Sequence, residues 1–182
     1  MRALSERDRQ LAEWFRRNRF LHPYLTVAAL RRAGIKPQSA AALLQNESSG
    51  RHDGGTVSGG RNVFGCDWQR TGDKPPYCGQ PVTLTRYVLL RKHGKQNGVG
   101  PCQLTLFVFC DRADKIGGVH LPFPNMVTGF RILKENANRE GTLREGARAY
   151  NGSGQAAEEY ADRFIARREA WERKLLRAGF RV

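Results

Sequence analysis

Apolar residues recur at helical spacing over most of the chain, which predicts a mainly α fold. Near the N-terminus, Leu11, Trp14 and Phe15 share one side of a helix that ends before His22. Near the C-terminus, the interval from Gln155 to Leu176 places apolar residues three, four or seven positions apart. These residues are Ala157, Tyr160, Phe164, Trp171 and Leu175. We expect both helices to pack into the core.

Further helices are predicted between these two ends. They run from about Val27 to Arg32, from Pro37 to Glu47, over Val82 to Arg91, over Leu106 to Gly117, and after the capping-box residue Thr142. The segments Val82 to Arg91 and Leu106 to Gly117 also fit a strand, but the helical spacing of their apolar residues favours a helix. Gly, Ser, Asn and charged residues dominate positions 48–65, which predicts a loop or a short β-hairpin.

One acidic residue lies on the apolar side of its predicted helix. Glu47 shares a helical face with Leu43 and Leu44. A buried carboxyl group either finds a hydrogen-bond donor or stays protonated near neutrality. A protonated carboxyl group in a cleft can act as a general acid. A glutamate that ends a helix before a glycine is also a common solvated residue, so its position alone does not assign this role.

Three segments that follow Glu47-Ser48 connect this glutamate to a family. They are Asn-Gly-Val-Gly-Pro-Cys-Gln-Leu-Thr at 97–105, Asn-Met-Val-Thr-Gly-Phe-Arg-Ile-Leu at 125–133 and Ala-Tyr-Asn-Gly-Ser-Gly at 149–154. In this order and at this spacing, the four segments resemble the lytic transglycosylase and goose-type lysozyme family of peptidoglycan-cleaving enzymes. Within that family the chain looks most like the muralytic domain of phage endolysins that attack actinobacterial walls, because Arg-Asn-Val-Phe-Gly at 61–65 and the segment 98–105 both resemble those proteins.

The resemblance implies a fold and a set of site residues. The fold would be lysozyme-like and mainly α, with a small β-hairpin or loop lobe walling a substrate groove. Residues 1–182 would form one muralytic domain, with 1–36 as an N-terminal helical segment packed on it. Glu47 would be the catalytic acid. The substrate-binding residues would be Ser48, Gly100, Gln103, Tyr150 and Asn151. No cofactor and no metal is implied. Without the resemblance, Tyr150 would be read equally well as an ordinary half-buried aromatic residue.

A second catalytic carboxylate is the main open question. Goose-type lysozymes carry an aspartate two residues after the loop glutamine, and this chain has Thr105 there. The candidates elsewhere are Asp53, Asp67 and Asp73, of which Asp67 is our choice because a Gly-flanked loop could bring it opposite Glu47. With such a partner the enzyme would be a lysozyme that uses water. Without one, the 6-hydroxyl of muramic acid would attack and give the anhydro product of lytic transglycosylases.

The charge of the chain indicates an anionic partner. Lys and Arg total 31 against 17 for Asp and Glu, which gives a net charge of +14. The last predicted helix carries Arg163, Arg167, Arg168, Arg173 and Lys174 on its polar face. The partners implied by the resemblance are peptidoglycan and anionic wall polymers, bound by a monomer. The alternatives are a nucleic-acid-binding module and a membrane-active protein. A nucleic-acid-binding motif is lacking, and we do not expect nucleic acid as the partner.

The sequence also bears on location and on the cysteines. The N-terminus is charged and lacks the apolar run of a signal peptide, and no run approaches about 18 apolar residues. We therefore expect synthesis in a host cytoplasm and action on the wall after another protein has opened the membrane. Reduced, partly buried thiols are favoured for Cys66, Cys78, Cys102 and Cys110. The alternative is a bridge between Cys66 and Cys78.

Overall fold

The computed structural model describes residues 4–52, 55–66, 76–94 and 96–181, and these residues are mainly helical, as predicted. Eight helices and one two-stranded sheet lie in these ranges. The helices are α1 Glu6–Arg17, α2 Pro23–Ala33, α3 Pro37–Ser48, α4 Leu84–Lys92, α5 Phe107–Asp114, α6 Pro122–Glu140, α7 Leu143–Asn151 and α8 Gln155–Arg177. The strands are β1 Gly50–His52 and β2 Gly55–Val57.

The two strands form the hairpin that was one of the two predictions for positions 48–65. They pair antiparallel, with Gly50 opposite Val57, and the hairpin begins directly after α3. Single bridges then join Val63 to Pro81 and Phe64 to Val99. The hairpin and these bridged segments form a small lobe beside the helical body, and its chain leads straight out of the helix that carries Glu47.

Local sequence signals place most helix ends. Ser5 and Thr142 accept hydrogen bonds from the backbone N–H groups three residues later, as their capping patterns predict. The predicted start of the second helix is wrong, since α2 begins at Pro23, where the fixed φ of proline suits a first helical residue. At α5 the N-cap residue is Leu106, and the preceding Thr105 donates its hydroxyl to the Gln103 carbonyl at 3.2 Å.

The core joins the N-terminal helices to α8. Helix α6 packs against α2, α5 and α7, while α8 packs against α3 and α7. Trp171 of α8 meets Trp14 and Phe20 edge to face, with ring centroids 5.7 and 5.1 Å apart. Phe15 is fully buried beside them. This aromatic cluster fixes α8, and therefore the side chains that α8 presents to α3.

The favoured prediction for the cysteines holds for two of the four. Cys102 and Cys110 are buried free thiols, as favoured. For Cys66 and Cys78 the favoured reduced state is wrong, because a disulfide joins them. The reason is backbone pairing that the spacing of the cysteines did not show. Phe64 donates to the Gln80 carbonyl and accepts from the Gly79 N–H, which brings the two cysteines to a Cα separation of 4.7 Å.

Within the described ranges, no helix has both the length and the apolar character needed to span a membrane.

Candidate active site

Glu47 lines a cleft of about 320 Å³ between the end of α3, the lobe and α8. Three other predicted site residues, Ser48, Gln103 and Asn151, also line this cleft. A neighbouring cleft of about 520 Å³ is lined in part by Gln103, Tyr150 and Asn151. Because the two clefts share Gln103 and Asn151, they adjoin each other.

The end of α3 is tied to α8 by three successive side chains. Gln45 accepts from the Trp171 indole N–H at 2.8 Å, and Asn46 accepts from the Arg167 guanidinium. Glu47 follows, and its Oε1 accepts from the Tyr160 hydroxyl. The glutamate is half-buried, as its position on the apolar side of the helix predicts. Its carboxyl group is therefore held at the cleft by a defined donor.

Tyr160 is the site residue that the sequence did not assign. Its position among the apolar residues of α8 predicted only a core aromatic, and its ring is indeed buried. Burial, and next the negative charge of Glu47, raise the pKa of the Tyr160 phenol well above its ordinary value. The hydroxyl therefore stays a donor at any pH at which the protein would act. The available signal was general: a buried tyrosine hydroxyl usually needs a hydrogen-bond partner.

Gln103 holds the shape of its own loop. Its backbone has φ +46°, in the left-handed region that non-glycine residues rarely adopt. The side-chain amide donates to the Gly100 carbonyl at 2.7 Å and to the Val63 carbonyl at 3.0 Å. The residue therefore connects the loop to the lobe while it lines both clefts.

The loop at 97–105 rests on α6. The Asn125 amide accepts from the Cys102 N–H at 2.9 Å and donates to the Val99 carbonyl at 2.7 Å. A β-carbon at Gly100 would lie 2.6 Å from the Asn125 side chain, and one at Gly129 would lie 2.4 Å from that of Cys102. Gly100 is thus buried against Asn125, and its absent side chain permits the loop to approach α6.

Ser48 and Tyr150 use their hydroxyl groups to join elements. The buried Ser48 hydroxyl lies 2.7 Å from the Pro101 carbonyl and accepts from the Gly60 N–H at 2.9 Å. The Tyr150 hydroxyl donates to the Cys102 carbonyl at 2.8 Å, and burial raises the pKa of this phenol. Asn151, in contrast, is exposed. Of these three side chains, that of Asn151 is the most accessible to a ligand.

No second carboxylate accompanies Glu47 in the lining of its cleft, as far as the described residues go. Asp67, the predicted partner, lies outside the described residues, as do Asp53 and Asp73. Thr105 is in the lining of the neighbouring cleft. Groups of three or more side chains suited to a metal ion are absent from the ranges that the structure describes.

The predicted basic face of α8 is only partly a solvated face. Arg163, Arg173 and Lys174 are exposed. Arg167 instead bonds Asn46 beside the cleft, and Arg168 pairs with Glu172 at 3.1 Å. Another arginine, Arg61, lines the Glu47 cleft from the lobe side. The sequence assigned Arg61 no role, although it begins the Arg-Asn-Val-Phe-Gly segment at 61–65 that contributes to the resemblance.

Comparison with known proteins adds no family to this geometry: no protein-family model, no curated protein and no solved structure matches the chain.

Proposed function

We propose that this protein is a muralytic enzyme that cleaves the β-1,4 bond between N-acetylmuramic acid and N-acetylglucosamine in peptidoglycan, with Glu47 as general acid. The observation that carries the proposal is the half-buried Glu47 carboxyl group at the end of α3, lining a cleft and bonded through Oε1 to Tyr160. A carboxylic acid that faces a cleft can protonate the leaving oxygen of a glycosidic bond, which is the first requirement for cleavage of that bond.

The chemistry follows from the two oxygens of Glu47. In the proposed mechanism the transferred proton is on Oε2, the oxygen other than the one that accepts from Tyr160. It passes to the glycosidic oxygen while the bond to the muramic acid C1 breaks and oxocarbenium character develops there. The carboxylate that remains is stabilised by the Tyr160 hydroxyl and can act as a base in the second half of the reaction.

Two acceptors can complete the reaction. With Glu47 as the base, the 6-hydroxyl of the same muramic acid can bond to C1 and release its proton to Glu47, which yields the anhydro sugar. Alternatively a second carboxylate can activate water and yield a reducing end. The two products differ in mass by one water, so a mass spectrum of digested peptidoglycan identifies the acceptor.

The proposal extends to fold and setting. A mainly helical body, with a hairpin lobe beside the cleft, is consistent with a lysozyme-like fold for the whole chain. The proposed partners are peptidoglycan and anionic wall polymers, bound by a monomer. The proposed setting is host lysis by a phage endolysin that reaches the wall after membrane permeabilisation.

The decisive test is the replacement of Glu47 by Gln, which preserves shape and removes the transferable proton. We expect wall cleavage to fall by about 10²- to 10⁴-fold, the usual contribution of general acid catalysis. Wall binding and the unfolding midpoint should stay close to wild type. The matched control is Glu169→Gln, the same change at an exposed position of α8, which should retain full activity.

Retention of more than a tenth of wild-type lysis by Glu47→Gln would overturn the assignment. The net charge of +14 also makes nucleic acid a physically possible partner. Tight, salt-sensitive binding of wild type to duplex DNA, without wall cleavage, would replace the proposed function by a nucleic-acid-binding one.

A further inference from the structure

We infer that Arg61 is a specificity-determining residue that binds a carboxylate carried by the muramic acid substituent of the substrate. This inference rests on the proposed function of the Glu47 cleft. It also predicts the orientation of the glycan in the cleft, because the N-acetylmuramic acid would lie on the side of the cleft that carries Arg61.

Arg61 lies on the lobe side of the same cleft as Glu47. Among the described residues that line this cleft, Arg61 is the one lysine or arginine, and the rest are mainly neutral polar or apolar. A single positive charge in a cleft that also contains a catalytic carboxyl group gives the cleft two chemically distinct walls. A ligand with one anionic substituent would therefore bind in one orientation.

The backbone on both sides of Arg61 is fixed. Gly60 donates its N–H to the Ser48 hydroxyl at 2.9 Å, and the Asn62 carbonyl accepts from the Val82 N–H at 3.0 Å. The Asn62 side chain also donates to the His120 carbonyl at 3.0 Å. The direction in which the Arg61 side chain leaves the lobe is thus set by the fold.

The guanidinium of Arg61 is not neutralised by the protein in the described ranges. Its Nε is buried and has no hydrogen-bond partner there, and no described carboxylate forms an ion pair with it. Arg144 shows the contrast, since it pairs with Glu145, Glu158 and Asp162. A partly buried guanidinium without an anion is costly, and a bidentate carboxylate is the ligand that best matches its geometry.

One nitrogen of the guanidinium packs close to a glycine. A β-carbon at Gly50 would lie 3.2 Å from Nη1 of Arg61, closer than ordinary packing allows. Gly50 itself has φ +134° and begins strand β1, so it follows α3 within three residues of Glu47. The segment that follows Glu47 therefore passes close to the guanidinium.

The chemistry of the substrate supplies one matching group. N-acetylglucosamine is neutral, whereas N-acetylmuramic acid carries a lactyl ether that ends either in its own carboxylate or in a peptide with carboxylates. Both sources present the same anion to Arg61. A neutral chitooligomer presents none, so it should be cleaved without any contribution from Arg61.

The test compares Arg61→Gln with wild type on matched substrates. The first pair of substrates is peptide-free muramyl glycan strands, with the lactyl carboxylates either free or converted to methylamides. The second pair is glycan strands that retain their peptides, with the peptide carboxylates either free or converted to methylamides. Chitooligomers are the neutral substrate. The matched control is Arg32→Gln, which removes the same charge from an exposed position on α2. A second variant, Arg61→Lys, retains the charge but not the bidentate geometry.

We expect Arg61→Gln to lower kcat/KM by about 10- to 100-fold on one carboxylate-bearing substrate, as for the loss of a charged hydrogen bond. Wild type should lose a similar factor when that carboxylate is amidated, and Arg61→Gln should be indifferent to amidation. An effect on peptide-free strands identifies the lactyl carboxylate, and one confined to peptide-bearing strands identifies the peptide. Arg61→Lys should recover part of the loss, and Arg32→Gln should match wild type.

An equal loss on amidated and unamidated substrates would overturn the inference, because Arg61 would then act only on folding or general wall attraction. Indifference of wild type to amidation of both kinds would also overturn it. Failure of the proposed function looks different, since Glu47→Gln would then cleave all the substrates as well as wild type does.

Discussion

At the residue scale, the Glu47 and Tyr160 pair determines what the cleft can do. The hydroxyl donates to Oε1 of the carboxyl group. A donor of this kind favours the ionised form of its acceptor, which is the form that appears once the proton has left. In the proposed mechanism Tyr160 would assist proton transfer by stabilising the carboxylate that results. This role as a positioning residue should be visible in the pH dependence of the rate.

Replacement of Tyr160 by Phe should lower kcat by about 10-fold, the typical effect of removing one hydrogen bond to a charged group. Without the donor, Glu47 should hold its proton more tightly, so the alkaline limb of the pH profile of kcat should move to higher pH. The control is Tyr24→Phe, because the exposed Tyr24 donates to Glu13 at 2.6 Å outside both clefts. An alkaline limb that stays in place would show that Tyr160 has only a packing role.

At the element scale, the site depends on how the loop at 97–105 is seated on α6. Gly129 lies in the interior of that helix, where alanine is intrinsically more favourable than glycine. A β-carbon there would lie 2.4 Å from that of Cys102 and 3.0 Å from the Tyr150 hydroxyl. Any substitution must therefore displace the loop or α7.

Gly129→Ala should destabilise the protein by about 1 to 3 kcal/mol, as overpacking usually does. It should also lower kcat at temperatures where the variant is fully folded, because the loop carries Gln103. Gly146→Ala is the matched control: its β-carbon would lie 2.5 Å from the Ala137 backbone, where α6 meets α7. Thermal unfolding and kcat should be measured together. If Gly129→Ala and Gly146→Ala lose the same stability and also the same kcat, Gly129→Ala has no specific effect on the loop.

The sequence predicted individual helices better than it predicted contacts between them. Periodicity and capping patterns predicted α1, α3, α7 and α8, because each signal lies within one helix. The same patterns predicted that Glu47 faces inward. They could not predict its partner, since Tyr160 is 113 positions away and the hydrogen bond depends on how α8 packs on α3. The Cys66 to Cys78 disulfide was only the alternative prediction. The two cysteines are close because of backbone pairing within the lobe, which their spacing in the sequence does not show.

Arg61 was missed for a related reason. In the sequence it begins the Arg-Asn-Val-Phe-Gly segment at 61–65, but the resemblance of that segment assigns it no role, and it is one of many arginines in a basic chain. What distinguishes it is its place in the cleft and the lack of a described acidic partner, and both are properties of the folded chain. Asp67 stays a prediction, because it lies outside the described residues.

At the scale of the whole molecule, the net charge of +14 is unevenly neutralised. Arg144 and Arg148 share Glu145 and Glu158, and burial lowers the pKa of Arg167 where it bonds Asn46. Such arginines contribute to structure rather than to a free basic surface. The exposed cations toward the end of α8 are available to an anionic wall, and they define the surface on which wall attraction should be tested.

The triple replacement of Arg163, Arg173 and Arg177 by Gln should weaken binding to purified walls and make lysis less sensitive to salt. Exposed charges act over a Debye length of about 8 Å at physiological salt, so their contribution should fade as salt rises. Lys174 is left in place, because it lies 4.2 Å from the Trp171 ring centroid and its loss would disturb packing. Cleavage of short neutral oligomers should not change.

The control for this charge change is a triple variant with the same charge loss elsewhere: Arg7→Gln, Arg17→Gln and Arg32→Gln, at exposed positions of α1 and α2. Weaker binding in the α8 variant alone would assign wall attraction to that surface. Equal weakening in both would mean that the net charge acts as a whole, as expected when a wall polymer samples the protein without a fixed orientation. Wall binding measured from low to high salt separates these results. If a local surface on α8 attracts the wall, only the α8 variant loses salt dependence, and if the net charge acts as a whole, both variants lose it equally.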